Sequence, residues 1–252
     1  MTLVDPDARA LAENHFAFMA AQRGTLRRTP DTVELAGRAE FLSWWTPLTE
    51  SAEIPPSTGC VRVFPWNSSW ASRLPDLGFR EAGRLSYMTA PVRVVELRLP
   101  EGVVIEAVDS DEAAAVFAQT QAAGFADPGD SADDAAWWEE LFRQVVVDNY
   151  DDPEQTFYLL RCDGTPAAVT LTVSTDHVTG VYAVATVPAY RRRGFANLLL
   201  QRVHEDAYAR EDAWLTLQVE PGSDAERLYL AAGFTVSFAS QLYARRVLDG
   251  GV

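Results

Sequence analysis

The sequence predicts an α+β protein of layered (α/β) architecture, a mixed and mostly antiparallel sheet flanked by helices in residues 93–252, preceded by a smaller α+β domain in residues 1–92. Three observations predict it. The apolar period is helical around Trp137, Trp138, Leu141, Phe142 and Val145, then switches to two from Phe157 onward. Asp163-Gly164 sits between two alternating runs and is a hairpin signal. From Val103 the order reads strand, two helices, three strands, helix, strand, helix, strand.

The first helix spans Asp5 to Gln22, with Leu11, Phe16, Phe18 and Met19 along it, Pro6 suited to its first turn and Gly24 to its stop. Thr32 to Trp45 is short and β-like around Gly37. Pro55, Pro56, Ser57 and Gly59 mark a loop, and Val61 to Phe64 is a short strand. A polar segment with Trp66 and Trp70 leads to Leu77-Gly78-Phe79 and a strand near Arg84 to Thr89. Val92 to Leu99, bracketed by Pro91 and Pro100, is strand-like and joins the halves.

In the second half Val103 to Val108 is apolar and β-branched. Asp109 with Glu112 three residues on is a capping-box spacing that opens a helix, and Gly124 would close it. Beyond the Asp163-Gly164 turn, Val169, Leu171 and Val173 alternate with Thr170, Thr172 and Ser174. Val181, Ala183, Ala185 and Val187 carry the alternation to Pro188. Phe195, Leu198, Leu199, Val203 and Ala207 then form one helical face. Leu215, Leu217 and Val219 alternate in the next strand, and a last helix from Ser223 to Ala232 ends at Gly233.

Composition narrows the function. Apolar residues at 48% and charged residues at 23% describe a globular chain of 252 residues, room for one large domain or two small ones. No apolar run approaches the ~20 residues of a membrane span, and the first 25 residues are not a basic segment leading into an apolar one, so the expectation is a cytoplasmic protein with no membrane partner. A formal net charge of -15 disfavours nucleic acid and anionic membranes. The acidity serves either solubility or attraction of a cationic substrate. Cys60 and Cys162 give no metal spacing and are expected to be reduced core residues. His15, His177 and His204 are too scattered for a metal site, and His204 is expected to be partly exposed.

The stretch that carries chemistry is Val187-Pro188-Ala189-Tyr190-Arg191-Arg192-Arg193-Gly194-Phe195-Ala196, between an alternating strand and an amphipathic helix. A loop feeding a helix N-terminus exposes unpaired N–H groups at the positive end of the helix dipole. Gly194 and Ala196 remove bulk where a phosphate must approach, and three arginines supply cations. The run is either a diphosphate cradle or a solvated basic turn. Its spacing is not the G-x-G-x-x-G of a dehydrogenase.

RRRGFA resembles the R/Q-x-x-G-x-G/A motif by which GNAT N-acetyltransferases hold the pyrophosphate of CoA. Ala225-Glu226-Arg227-Leu228-Tyr229-Leu230-Ala231-Ala232-Gly233-Phe234 is similar to the A-x-x-L-Y-x-x-x-G-F segment of the same family. The likeness covers about Arg93 to Arg246 and implies the GNAT acyl-CoA N-acyltransferase fold. It implies acetyl-CoA as co-substrate, direct acetyl transfer in a ternary complex to a primary amine, small and cationic, and no metal. By resemblance, backbone around Ala185 and Val187 pairs with the pantetheine arm, Arg191, Arg192, Arg193, Gly194, Phe195, Ala196 and Asn197 hold the pyrophosphate, and Tyr229 lies near the sulfur.

A phenol with a pKa near 10 can protonate a departing thiolate, so Tyr229 is the general-acid candidate, the alternative being a core aromatic. The strand Tyr182 to Val187 carries no carboxylate, unlike relatives with a glutamate there. Glu220 is the nearest base by position, or else a solvated strand-end acid. Gly222 stands where the family often has asparagine, with Ser223 beside it.

Between Asp109 and Glu154 there are thirteen carboxylates and one base, Arg143, and by resemblance the two helices of this region form the acceptor side. Trp137, Trp138 and Tyr150 either add a cation–π surface or belong to the core. Val61 to Met88 echoes Leu217 to Tyr243, which makes residues 1–92 either a truncated, non-catalytic GNAT-like half or an unrelated extension. The alternative function is an acyl-CoA-binding sensor or scaffold without turnover. A homodimer is compatible with the sequence.

Overall fold

The computed structural model describes residues 6–126 and 131–245. Asp5, Asp127, Asp130 and Arg246, used above, lie outside the described residues. Along the chain come α1 (Ala8–Arg23), β1 (Gly24–Arg28), β2 (Thr32–Gly37), β3 (Trp44–Pro47), β4 (Cys60–Val63), α2 (Trp70–Arg73), β5 (Arg80–Pro91), β6 (Val103–Ala107), α3 (Asp111–Phe125), α4 (Ala132–Asn149), β7 (Gln155–Cys162), β8 (Thr165–Thr175), β9 (Val178–Thr186), α5 (Phe195–Ala209), β10 (Trp214–Val219), α6 (Asp224–Ala231) and β11 (Thr235–Ala244). Two compact units result, one of Met1–Pro6 with Pro91–Thr216, the other of Asp7–Ala90 with Leu217–Val252.

In the first unit β6, β7, β8 and β9 pair antiparallel in sequence order, and β10 joins β9 in parallel. This is the mixed, mostly antiparallel sheet the period-two pattern predicts. Asp163 and Gly164, at φ 51° and 76°, form the expected turn, and both lie in the left-handed region such a hairpin requires. The next hairpin turns on Asp176 and His177, at φ 44° and 63°, with no glycine to announce it. The core of this unit forms where Phe117 of α3 meets Phe157 of β7 edge-on at 5.3 Å and where α5 buries Leu199, Val203 and Ala207. Fully burying a leucine or valine side chain contributes about 1.5–3 kcal/mol.

Several boundaries differ from expectation. The N-cap of α3 is Ser110, whose hydroxyl accepts from the Ala113 N–H, so Asp109 is not the cap; a serine one residue on reaches the orphan amide. Gly124 does not stop α3. It lies in the last turn, where a Cβ would come within 2.7 Å of the Ala185 Cβ, so it is there for close approach to β9. Pro6 precedes the N-cap Asp7 instead of entering the first turn of α1. Among the described residues Val92 to Leu99 joins no sheet: the Val92 N–H donates to the Ala213 carbonyl at 2.9 Å, and Val94 is 73% exposed.

The second unit orders its strands β1, β2, β3, β4, β11, β5. β1 to β3 pair antiparallel, β3 meets β4 in parallel at Trp45 and Val61, and β11 is antiparallel to both β4 and β5. The C-terminal strand is therefore the inner neighbour of two strands from the N-terminal ninety residues. Val61 and Val63 of β4 pack with Trp45, Trp70, Leu74, Phe79 and Tyr243 on one face. On the other, buried Arg62 donates to Ser240 at 3.0 Å and so links β4 to β11.

Candidate active site

The site is built where β9 ends. The Val187 N–H still donates to the Ala167 carbonyl at 3.0 Å, and its own carbonyl accepts from the Tyr190 N–H at 2.8 Å, closing a short 3-10 turn over Pro188–Tyr190. Arg191 then turns extended, at φ -61° and ψ 154°, and Arg192 enters the left-handed region at φ 61°. Gly194, at φ 82°, is the N-cap of α5 and offers no side chain to its orphan amides. The first helical bond is Leu198 N–H to the Gly194 carbonyl at 3.1 Å. Among the described residues, the N–H groups of Gly194, Phe195, Ala196 and Asn197 meet no acceptor. A Cβ on Gly194 would meet nothing within 4 Å, so the space beside it is open.

The three arginines divide their work. Arg191 donates through Nη2 to the Gly124 carbonyl at 2.9 Å and through Nε to the Thr186 carbonyl at 3.2 Å, so its guanidinium holds the end of α3 to the end of β9. Arg192 is exposed. Arg193 lies over the Tyr190 ring at 5.0 Å, and Tyr190 in turn stacks on Phe195. Exposed cations beside four open amides at a helix N-terminus fit a diphosphate.

Upstream of the cradle β9 is bulged, so the alternation expected through Val187 breaks. Val169 pairs with Ala185 and Leu171 with Tyr182, which leaves Ala183 and Val184 opposite Thr170 alone. Ala183 takes φ 51°, and the Thr170 hydroxyl donates to the Tyr182 carbonyl at 3.0 Å. On the other side β10 pairs β9 only from Val178 to Gly180. Ala183 and Val184 thus share one opposite residue on the β8 side and, among the described residues, have no registered partner on the β10 side. Ala185 is buried under Gly124.

The remaining expected residues belong to the second unit. Tyr229 is 7% exposed on α6 and meets Phe234 edge-on at 5.7 Å. Its hydroxyl has no hydrogen-bond partner among the described residues, and burial pushes its pKa well above the usual tyrosine value. Glu220 is exposed just past β10. Ser223 is occupied as the N-cap of α6. Glu226 accepts from the Gly222 N–H at 2.7 Å and the Ser86 hydroxyl at 2.8 Å, and these two bonds lower its pKa.

On the acidic helices of the first unit Trp137 is 41% exposed and Trp138 half-buried, so neither is a core residue. Their rings meet at 4.9 Å, and Trp138 lies 5.5 Å from Phe142. The Asp111 carboxylate beside the Tyr150 phenol, with Asp151 and Asp109 near, raises its pKa. His204 is buried, not partly exposed. Among the described residues its Nδ1 has no partner, and burial first, then Arg93, lowers its pKa to about 4. The apolar positions of α5 turn it toward the sheet, which a list of isolated histidines does not reveal. Among the described residues no three His, Cys, Asp or Glu side chains gather as a metal site, and no helix is long and apolar enough to cross a membrane.

The model of the acetyltransferase (GNAT) domain matches residues 93–223, a span that contains the bulged strand, the open turn and α5. The chain belongs to the GNAT acetyltransferases. It is thus an acyltransferase, and its fold recurs in solved GNAT structures. A GCN5-related N-acetyltransferase from Kribbella flavida superposes with a TM-score of 0.68 at 18% identity, covering 98% of both chains. A functionally unknown conserved protein from Staphylococcus epidermidis reaches 0.64 at 13% identity, over 90% of this chain and 96% of its own. A tandem GNAT protein from the clavulanic acid biosynthesis pathway reaches 0.56 at 10% identity, over 86% of this chain and 80% of its own. At these identities the likeness is one of fold. No curated protein matches the sequence.

Proposed function

We propose that this GNAT protein transfers an acetyl group from acetyl-CoA to a primary amine of a small, cationic acceptor. The observation that carries it is the N-terminus of α5, where Gly194 caps without a side chain and four amides stay open beside Arg192 and Arg193. Acetyl-CoA supplies the thioester and the diphosphate those amides bind. The backbone from the bulge at Ala183 and Val184 through Ala185 to Val187, beyond the part of β9 that β10 pairs, is the stretch on which an extended amide-bearing arm can pair.

In the transfer the amine lone pair forms the new C–N bond and the C–S bond breaks. Tyr229 stands as the acid: its phenol donates a hydrogen bond to the departing thiolate as charge develops, and its raised pKa keeps it protonated, so it serves as donor and not as base, while the thiolate takes its proton from water. The ammonium proton leaves to water or to Glu220, the exposed carboxylate just past the strand that follows α5. Glu226 is a poor base, because its two hydrogen bonds favour the ionised form at all working pH values.

The carboxylates of α3 and α4, with Trp137 exposed among them, favour a cationic acceptor by steering and cation–π attraction. We also assign acetyl transfer to residues 93–252 and a non-catalytic, GNAT-like role to residues 1–92. Support comes from a repeated helix end: Phe79 N–H donates to the Leu74 carbonyl at 3.1 Å and Phe234 N–H to the Tyr229 carbonyl at 3.0 Å, with left-handed Gly78 and Gly233 just before. The tandem GNAT protein of the clavulanic acid pathway gives this reading a precedent in fold. Leu74 stands where Tyr229 does, so the first half lacks the acid.

Free CoA thiol released from acetyl-CoA in the presence of an amine panel tests the proposal. Turnover with polyamines or aminoglycosides supports it. Faster turnover of neutral or anionic acceptors rejects the cationic class, and binding of CoA without any thiol release favours a sensor.

A further inference from the structure

Helix α6 spans only Asp224–Ala231, and among the described residues Tyr229 is the one buried side chain on it. Leu228 and Leu230, on either side of Tyr229, are 38% and 49% exposed. Two turns of helix are not stable by themselves, and a single packing point leaves such a helix free to roll about that point. The direction of the Tyr229 phenol therefore depends on a second grip on α6.

That grip comes from the first ninety residues. Ser86 of β5 is 3% exposed, and its hydroxyl donates to Glu226 Oε1 at 2.8 Å across 140 positions of sequence. Alternation along β5 gives it this direction, because Tyr87 turns to the opposite face, where its phenol meets His15 Nδ1 of α1 at 2.6 Å. Glu226 stands three residues before Tyr229, on the same side of the helix and about 4.5 Å back along its axis. Its Oε2 accepts from the Gly222 N–H at 2.7 Å, while Arg227 donates to the Gly222 carbonyl at 2.8 Å. In the turn so clamped, the Ser223 N–H donates to the Glu220 carbonyl at 3.3 Å, and the Ser223 hydroxyl caps α6 by accepting from the Glu226 N–H at 3.1 Å. In a capping box the carboxylate at this position reaches back to the amide of the cap itself. Here it reaches one residue further back, to Gly222, and its second oxygen takes the Ser86 hydroxyl in a charge-assisted bond.

We propose that Ser86 is a positioning residue for acetyl transfer: by holding Glu226 it fixes the roll of α6 and so aims the Tyr229 phenol. The inference rests on the acetyl-transfer reading above. It gives the first half of the chain, where Leu74 stands in the place of Tyr229, a part in placing the acid of the second half.

Ser86→Ala, Tyr229→Phe and the double variant test it on the full chain, by thiol release with acetyl-CoA and the best amine of the panel and by calorimetry with CoA. Ser86→Ala should lower kcat about tenfold, with the KM for acetyl-CoA and the affinity for CoA within about twofold of the parent, because the diphosphate turn lies elsewhere, before α5. In the Tyr229→Phe background the same substitution should change kcat by less than about twofold, since no phenol is left to aim. Glu226→Gln keeps the length of the side chain but replaces one acceptor oxygen by a donor, and should lower kcat at least as much as Ser86→Ala. A kcat equal to the parent's in either single variant, a loss that multiplies with that of Tyr229→Phe, or a KM for acetyl-CoA that moves in place of kcat overturns the inference alone. A parent protein that releases no thiol with any amine sinks the acetyl-transfer reading and this inference with it.

Discussion

Arg191 donates to the carbonyl of Gly124 across 67 positions of sequence, at 2.9 Å. The bond joins the last turn of α3 to the turn that feeds α5, so one residue of the basic run belongs to the scaffold while its two neighbours face solvent. Replacing Arg191 by Met should remove two hydrogen bonds at an exposed position and lower stability by about 1–2 kcal/mol. Arg192→Met and Arg193→Met should leave stability unchanged and weaken CoA binding about tenfold each, more at low salt than at high. Thermal unfolding and calorimetry with CoA separate the two classes. Equal melting temperatures for all three variants would contradict this division.

Gly194 has two roles that one substitution addresses. At φ 82° an alanine is strained by about 1–2 kcal/mol, and its methyl group stands beside the amides of the cradle. Gly194→Ala should therefore cost stability modestly and CoA affinity by at least about tenfold, although the added Cβ touches no protein atom. Affinity preserved in this variant would argue against the cradle.

Tyr229→Phe deletes a buried hydroxyl without a protein partner, so stability should hold or rise slightly while kcat falls by about 10²-fold or more. The pKa of Tyr229 is raised in the folded state, so the stability linked to it is fully present below the unfolded value near 10 and is lost as pH climbs above it. Unfolding followed above pH 10 should show this loss in the parent and a smaller one in the variant.

His204 titrates in the opposite sense. Its folded pKa, about 4, lies below the unfolded value of 6.5, so stability is full above 6.5 and declines as pH falls toward 4. The difference corresponds to about 3 kcal/mol. His204→Leu should flatten the acid limb of a stability profile measured by urea unfolding between pH 7 and pH 4. An unchanged acid limb would assign the loss to other groups.

The position of β11 bears on fragments. Because it lies between β4 and β5, residues 1–92 alone expose two strand edges that the full chain pairs along Cys60–Val63 and Arg80–Thr89. A fragment of residues 1–92 should show no cooperative unfolding transition by circular dichroism. Deleting residues 235–252 from the full chain should lower its melting temperature.

By itself the sequence determined most of the elements and the basic turn between β9 and α5, because both are written in local periods and in the few residues a turn tolerates. The alternation before Pro188, the Asp163-Gly164 hairpin and the Arg-Gly run before an amphipathic helix each act over a handful of positions. Local rules missed what depends on a distant partner. Gly124 looks like a helix stop until β9 is seen beneath it, and Ala183 looks like one more alternating residue until Thr170 faces it across the bulge. Tertiary structure alone decided that Arg191 reaches Gly124, that His204 is buried, and that the last strand completes the sheet of the first ninety residues. The physical reason is the same in each case: close approach, desolvation and ladder pairing are properties of two segments brought together, and neither segment carries them separately.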